Sequence, residues 1–234
     1  MKRYIIVALL ALVCSTSCLL DSGSDPDMNR SKRIIYNNRA VHPIYQAQTY
    51  AWYFVVADTF LYGSEEEQAA IKSSYDDELM VEAIEGGIRI SRDDSRSYYT
   101  VTTDGKKLSE GGLWSLTSGT ATKLIVTAMG IEGSDKTFCL QYNANSTYDK
   151  VDMDMVVSYN YPVVSLYGSS LLQDPNGEYN IDVTIDGTTP LVYSDKIDYM
   201  GFESGVVDVV YRDLVDGTSK SFSVEYRQGK TIYK

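Results

Sequence analysis

Residues 150–160 read KVDMDMVVSYN, and their spacing decides the fold class. Val151, Met153, Met155 and Val157 fall on one parity; Asp152, Asp154, Val156 and Ser158 fall on the other. Successive side chains of a strand point to opposite faces, so this segment predicts a half-buried strand whose acidic side is wet. The pattern recurs outward in both directions. Ile181, Val183 and Ile185 alternate with Asp182, Thr184 and Asp186, and Phe222, Val224 and Tyr226 alternate with polar partners. SYYTVTTDGKKL, LWSLTS, TKLIVTAMG, KTFCLQYN, LVYSDKIDYM and SGVVDVVYRDL complete the series. Asp104-Gly105, Asp186-Gly187 and Asp216-Gly217 are turn signals between such runs. A strand ending in IRIS begins near Met80, with a bulge or bend at Gly86-Gly87. Short strands at this spacing predict a mainly β protein: an antiparallel β-sandwich or barrel of roughly nine to eleven strands. YTVTTDG (99–105) and IDVTIDG (181–187) resemble each other, which raises a subdivision near Pro162, though a strand followed by a DG turn is common.

Ahead of the strands the period differs. Ala47, Ala51, Phe54, Val55, Asp58 and Leu61 fit one helical stripe, but the segment is apolar nearly all round, so a buried strand competes. Ser64 with Glu67 three residues on forms a capping box, and Glu65 and Glu66 complement the helix dipole. Residues 44–75 are therefore expected as two helices or a helix-turn-helix within a globular domain spanning 41–234.

The first residues read MKRYIIVALLALVCSTSCLLDSGSDPD. Lys2 and Arg3 precede an apolar run, Tyr4 to Val13, too short to cross a bilayer, which takes about 20 residues. A charged start, a short apolar core and small residues are the grammar of a secretory signal. Ser15, Thr16 and Ser17 are directly followed by Cys18, and this stretch resembles the lipobox of bacterial lipoproteins. The resemblance implies cleavage after Ser17 and lipid attachment at Cys18; Cys14 is disfavoured because Val13 is too large before a cleaved bond. Asp21, Asp25 and Asp27 resemble the acidic residues that follow the cysteine in envelope lipoproteins of the Bacteroidota type. On that resemblance residues 1–17 are a signal peptide and 18–40 a lipidated cysteine and flexible tether. The protein would then be an outer-membrane lipoprotein on the periplasmic or cell-surface face, its partner the membrane itself through the anchor. Attached acyl chains contribute ~0.8 kcal/mol per buried methylene, enough in combination for stable retention.

The chain has 32 acidic and 21 basic residues, a net charge of −11. Loss of residues 1–17 removes Lys2 and Arg3, leaving 19 basic against 32 acidic side chains, or −13. Such a field repels phosphates, so neither nucleic acid nor anionic lipid head groups are expected to be favoured by the protein's overall charge. With Cys14 cleaved and Cys18 acylated, Cys139 alone remains; no disulfide can form, and Cys139 is expected as a small buried hydrophobe.

The sequence carries few groups that specify a chemistry. His42 is the single histidine, which rules out an intrachain Ser-His-Asp triad and any site needing two histidines. Asp152 with Asp154, and Asp182 with Asp186, share strand faces, but nothing selects a glycosidase pair from so many carboxylates. Asp174, Asn176 and Glu178 faintly resemble a calcium loop but lack its sixth-position glycine and twelfth-position glutamate. No metal or cofactor is therefore expected. Twenty tyrosines stand against five phenylalanines and two tryptophans. They suit stacking on sugars or protein interfaces, and equally suit half-wet strands. Tyr98-Tyr99 and Tyr159–Tyr161 place aromatics on both faces, so one ring of each set should lie outward or under a loop. The expected function is a non-catalytic binding or structural module for a glycan or envelope protein. The alternatives are a carboxylate-based glycan hydrolase and a fibre or adhesin subunit.

Overall fold

A thirteen-stranded antiparallel sheet curls around one long helix. The computed structural model describes residues 30–73, 79–92, 98–119, 123–130, 137–145, 150–160, 162–194 and 201–234. Helix α1 (Arg30–Tyr62) and helix α2 (Glu65–Ser73) lead into the strands. These are β1 (Leu79–Ile84), β2 (Gly87–Arg92), β3 (Tyr98–Thr103), β4 (Leu113–Ser118), β5 (Lys123–Gly130), β6 (Thr137–Asn145) and β7 (Lys150–Asn160). Then come β8 (Val163–Gln173), β9 (Tyr179–Ile185), β10 (Leu191–Ser194), β11 (Ser204–Asp213), β12 (Ser219–Arg227) and β13 (Lys230–Tyr233). The mainly β, antiparallel reading with an N-terminal helical segment holds. Among the described residues the strands number thirteen rather than nine to eleven, and they form one hydrogen-bonded sheet.

Strands β1 to β8 are a meander in which each strand pairs with the next. The slot after β8 is shared. β9 pairs with Gly168–Gln173 and β10 with Val163–Leu166, and both return to β11. Gly168 stands where β8 changes neighbour. Its φ is +136°, and a Cβ there would lie 2.3 Å from the carbonyl oxygen of Asp154, so only glycine fits. Gly86 also differs from its expected role. Leu79↔Arg92 through Ile84↔Gly87 pair antiparallel, so Glu85-Gly86 is a two-residue hairpin turn and not a bulge within one strand. Gly86 supplies the positive φ, +72°, that the turn requires. Pro162 lies in the β7–β8 hairpin loop, whose strands pair from Lys150↔Gln173 to Asn160↔Val163. One continuous sheet therefore crosses the position considered as a subdivision.

The buried parities match the alternation read from the sequence: Val151, Met153, Met155, Val157, Ile181, Val183, Ile185, Phe222, Val224 and Tyr226 all line the core. Against them lies α1. Tyr50 to Ala57 are all buried, eight consecutive positions that cover every side of a helix at 3.6 residues per turn. A flat sheet covers only one side, so this burial requires the sheet to curl around α1. The C-terminal half of α1, read as a candidate strand or helix, is helical for this reason. Contact with β2, β3, β4, β7, β8, β9 and β11 shows the same wrapping.

The start of α1 corrects the tether boundary. Residues 30–40, expected as flexible spacer, are helical, and Arg33, Asn37 and Ala40 are buried. Pro43 hides this in the sequence, because an interior proline usually ends or kinks a helix. Here Pro43 is itself buried within α1, and packing on both sides of it carries the helix through. The second helix follows its signals: Ser64 N–H donates to Glu67 Oε2 at 2.7 Å, and Glu67 N–H to Ser64 Oγ at 3.2 Å. Among the described residues no helix is long and apolar enough to cross a membrane.

Candidate functional site on the outer sheet face

With the concave face filled by α1, the outer face is where strand side chains meet solvent, and its register produces an ordered row. Thr102 lies beside Ser115, Ser115 beside Thr127, and Thr127 beside Gln141. Gln141 is followed by Asp154, Ser169 and Thr184, each on the next strand. Asp208 and Ser223 extend the row across β11 and β12, where the Ser223 hydroxyl donates to the Asp208 carboxylate. Neighbouring strands stand ~4.8 Å apart, so the row repeats small polar groups at that interval. Every member either accepts hydrogen bonds or both donates and accepts, and none is basic.

The middle of this row opens into a concavity of about 560 Å³. Thr127, Gln141, Asp154, Ser169 and Thr184 line it together with Asp152, Leu171 and Asp182 of the adjacent row. The face thus brings one acidic strand pair noted in the sequence together with one member of the other. Asp152 and Asp154 both reach the concavity, whereas Asp186 does not: its carboxylate accepts from the Thr188 hydroxyl and amide, which hold it below the usual carboxylate range. Asp182 is paired with Arg212, whose Nη1 lies 2.8 Å from Oδ2.

On the other side of the row runs an apolar strip, Leu113–Met129–Cys139–Val156–Tyr167. Tyr167 is 39% exposed, one strand position-pair from Ser169, and its ring lies against Gly187, where a Cβ would come within 3.3 Å. Sequence reasoning missed Tyr167, because one tyrosine in a strand carries no signal until its row is known. Cys139 is a correction. It sits half-buried on this outer strip and not in the core. Burial, then the nearby Asp154 carboxylate, push its thiol above the ordinary range. The physical reason is parity: Leu140, its neighbour, takes the inward position.

The other singled-out residues fall elsewhere. His42 is exposed on α1. Asp174 accepts the amides of Asn176 and Glu178 through Oδ2, closing the β8–β9 turn. No group of three or more metal-ligating side chains occurs among the described residues. Of the doubled tyrosines, Tyr99 packs inward on Tyr53 with its hydroxyl raised by burial, and Tyr98 lies outward under the Arg89 guanidinium. Tyr159 is buried and Tyr161 lies outside the described residues. Most other described tyrosines line the α1–sheet seam: Tyr36 on Tyr211, Tyr45 against Tyr193 and Phe202, Tyr62 against Trp114. Cys18 and the segment through residue 29 lie outside the described residues. No family model, curated protein or solved structure matches this chain.

Proposed function

We propose that this protein is a lipid-anchored, non-catalytic binding module of the bacterial outer membrane, and that its outer sheet face holds a neutral glycan. The observation that carries the ligand class is the continuous row from Thr127 to Thr184, flanked by the exposed ring of Tyr167. Hydroxyl, amide and carboxylate groups in sequence match the donors and acceptors of sugar hydroxyls. A tyrosine face beside them offers the apolar contact that a sugar ring also needs. With carboxylates and no basic member in the row, a phosphorylated or sulfated polymer is disfavoured. Attachment through Cys18 would confine the site to a surface and raise its effective concentration, so that weak contacts suffice.

The hydrolase alternative draws on Asp152 and Asp154 in the concavity. They project from one strand, on one flank of any bound chain, whereas glycosidase carboxylates flank the scissile bond. Asp182, the carboxylate across β8, is engaged by Arg212.

The test is a glycan array probed with wild-type protein and with Tyr167→Ala and Asp154→Ala/Ser169→Ala variants. Retention by the wild type and at least tenfold weaker retention by both variants is expected. Equal retention by all three, or release of shortened glycans into solution, overturns the reading. For the anchor, labelled fatty acid should enter the wild type and not Cys18→Ala.

A further inference from the structure

The two ends of the curled sheet differ, and the difference bears on how the domain meets a membrane. Because β1 to β8 form a meander, the β1–β2, β3–β4 and β7–β8 turns lie at one end of the strands. The β8–β9 and β11–β12 turns lie at the other. Helix α1 runs between these ends. Its Tyr36 and Arg39 meet Tyr211 and Tyr179, at the finish of β11 and the start of β9. Its last residue, Tyr62, meets Trp114 and Lys107, by the β3–β4 connection at the opposite end. The start of α1 therefore shares an end of the molecule with the β11–β12 turn.

That turn has an unusual tip. Val215 is 80% exposed and Leu214 is 49% exposed, the former more than any other large apolar side chain described. The flanking carboxylates fold back into the turn. Asp213 Oδ1 accepts the amides of Val215 and Asp216, and Asp216 Oδ1 accepts that of Thr218. The apolar pair is thus left projecting. Ile35, on the second turn of α1, is 53% exposed at the same end.

Charge is also uneven. Arg30, Lys32 and Arg39 are exposed within ten residues, with Arg33 among them buried, and α1 has no acidic residue before Asp58, in a chain otherwise strongly acidic.

We propose that this end docks on the lipid bilayer, with Leu214 and Val215 entering the interface and the basic start of α1 lying against headgroup phosphates. The proposal rests on Cys18 being the anchor. Cys18 lies twelve residues before Arg30, a reach of at most ~40 Å. A tether of that length keeps this end near the membrane without orienting it. The exposed apolar tip supplies orientation, and the exposed Arg30, Lys32 and Arg39 offset the turn carboxylates Asp213 and Asp216 beside it. Docked in this way, the polar row circles the domain away from the lipid, open to a ligand.

The experiment uses lipidated full-length protein reconstituted in phosphatidylethanolamine–phosphatidylglycerol vesicles with and without brominated acyl chains. Val215→Trp places a reporter on the tip, and Glu85→Trp places one on the exposed β1–β2 turn at the far end. The expected result is quenching of the Val215→Trp signal by half or more and none for Glu85→Trp. Vesicle binding with equal, negligible quenching at both positions overturns the docking while leaving the anchor intact. Shielding of the tip in native envelopes but not in pure lipid overturns it in favour of a protein partner. Absence of fatty-acid label at Cys18 overturns both this proposal and the anchor on which it rests.

Discussion

Tyr36 of α1 stacks on Tyr211 of β11 with ring centroids 4.1 Å apart and planes 16° from parallel. The contact joins residues 175 positions apart in the chain and pins the start of α1 to the sheet. Tyr179 extends the cluster, its ring 5.6 Å from that of Tyr211 and beneath the Arg39 guanidinium. Aromatic pairs contribute about 1 kcal/mol beyond area burial. A Tyr36→Ala, Tyr211→Ala double-mutant cycle read by urea denaturation should therefore return a coupling of about that size. Additive effects would show the stack to be geometric only.

Because residues 30–40 belong to the helix, where the chain is cut matters. A protein spanning 30–234 should unfold cooperatively, whereas 41–234 loses the buried Arg33, Asn37 and Ala40 and the Tyr36 stack. Thermal melts of the two should differ by 10 °C or more in order of magnitude, the shorter one aggregating first. Coincident melts would return residues 30–40 to a tether role.

A buried polar cluster predicts alkaline behaviour. Asn37 Nδ2 donates to the Tyr226 hydroxyl at 3.1 Å and approaches that of Tyr233 at 3.5 Å. Burial holds the Tyr226 phenol well above its ordinary value, against the opposing effect of Asn37. In the unfolded chain it ionises near pH 10. Its contribution is thus complete below pH ~10 and lost as pH rises beyond that, since the unfolded chain then releases the proton first. Urea midpoints should fall between pH 9.5 and 11, and fall less steeply in Tyr226→Phe. At pH 8, Asn37→Ala should cost about 1–3 kcal/mol, because it strands a buried hydroxyl.

Gly168 tests the shared slot after β8. Gly168→Ala meets both a positive φ and the Asp154 carbonyl, and should cost about 3 kcal/mol or more. Gly177, with φ +73° and open space around it, should cost about 1 kcal/mol on the same change. Denaturant midpoints compare them directly; equal losses would mean that β8 relaxes around the clash.

Each strand face was legible in the sequence because parity is local: Val151, Met153 and Met155 declare their side without reference to any partner. The capping box at Ser64 and Glu67 was legible for the same reason. Three features were not. Pro43 disguised the first half of α1, since its local penalty is visible in the sequence and the packing that offsets it is not. Gly86-Gly87 read as a bulge or bend within one strand because a hairpin shares that glycine signal until Leu79 and Arg92 are seen to pair. Cys139 read as core because chemistry suggested burial while its parity, opposite to Leu140, awaited the inward side being known.

For the candidate site the division runs the same way. Asp152, Asp154 and Asp182 were visible as wet strand positions, each within its own segment. That Asp154 lies level with Gln141 and Ser169, that Tyr167 borders them, and that Arg212 claims Asp182 depends on register between strands. The sequence by itself determined the alternation, the helix signals, the acidic balance and the expectation of an anchor at Cys18, all properties of neighbouring residues. Only the tertiary structure decided which rows align, which turns share an end with the start of α1, and that the sheet closes over a helix. Those are long-range pairings, set by the simultaneous burial of Tyr50 to Ala57 on every side, and no local pattern encodes them.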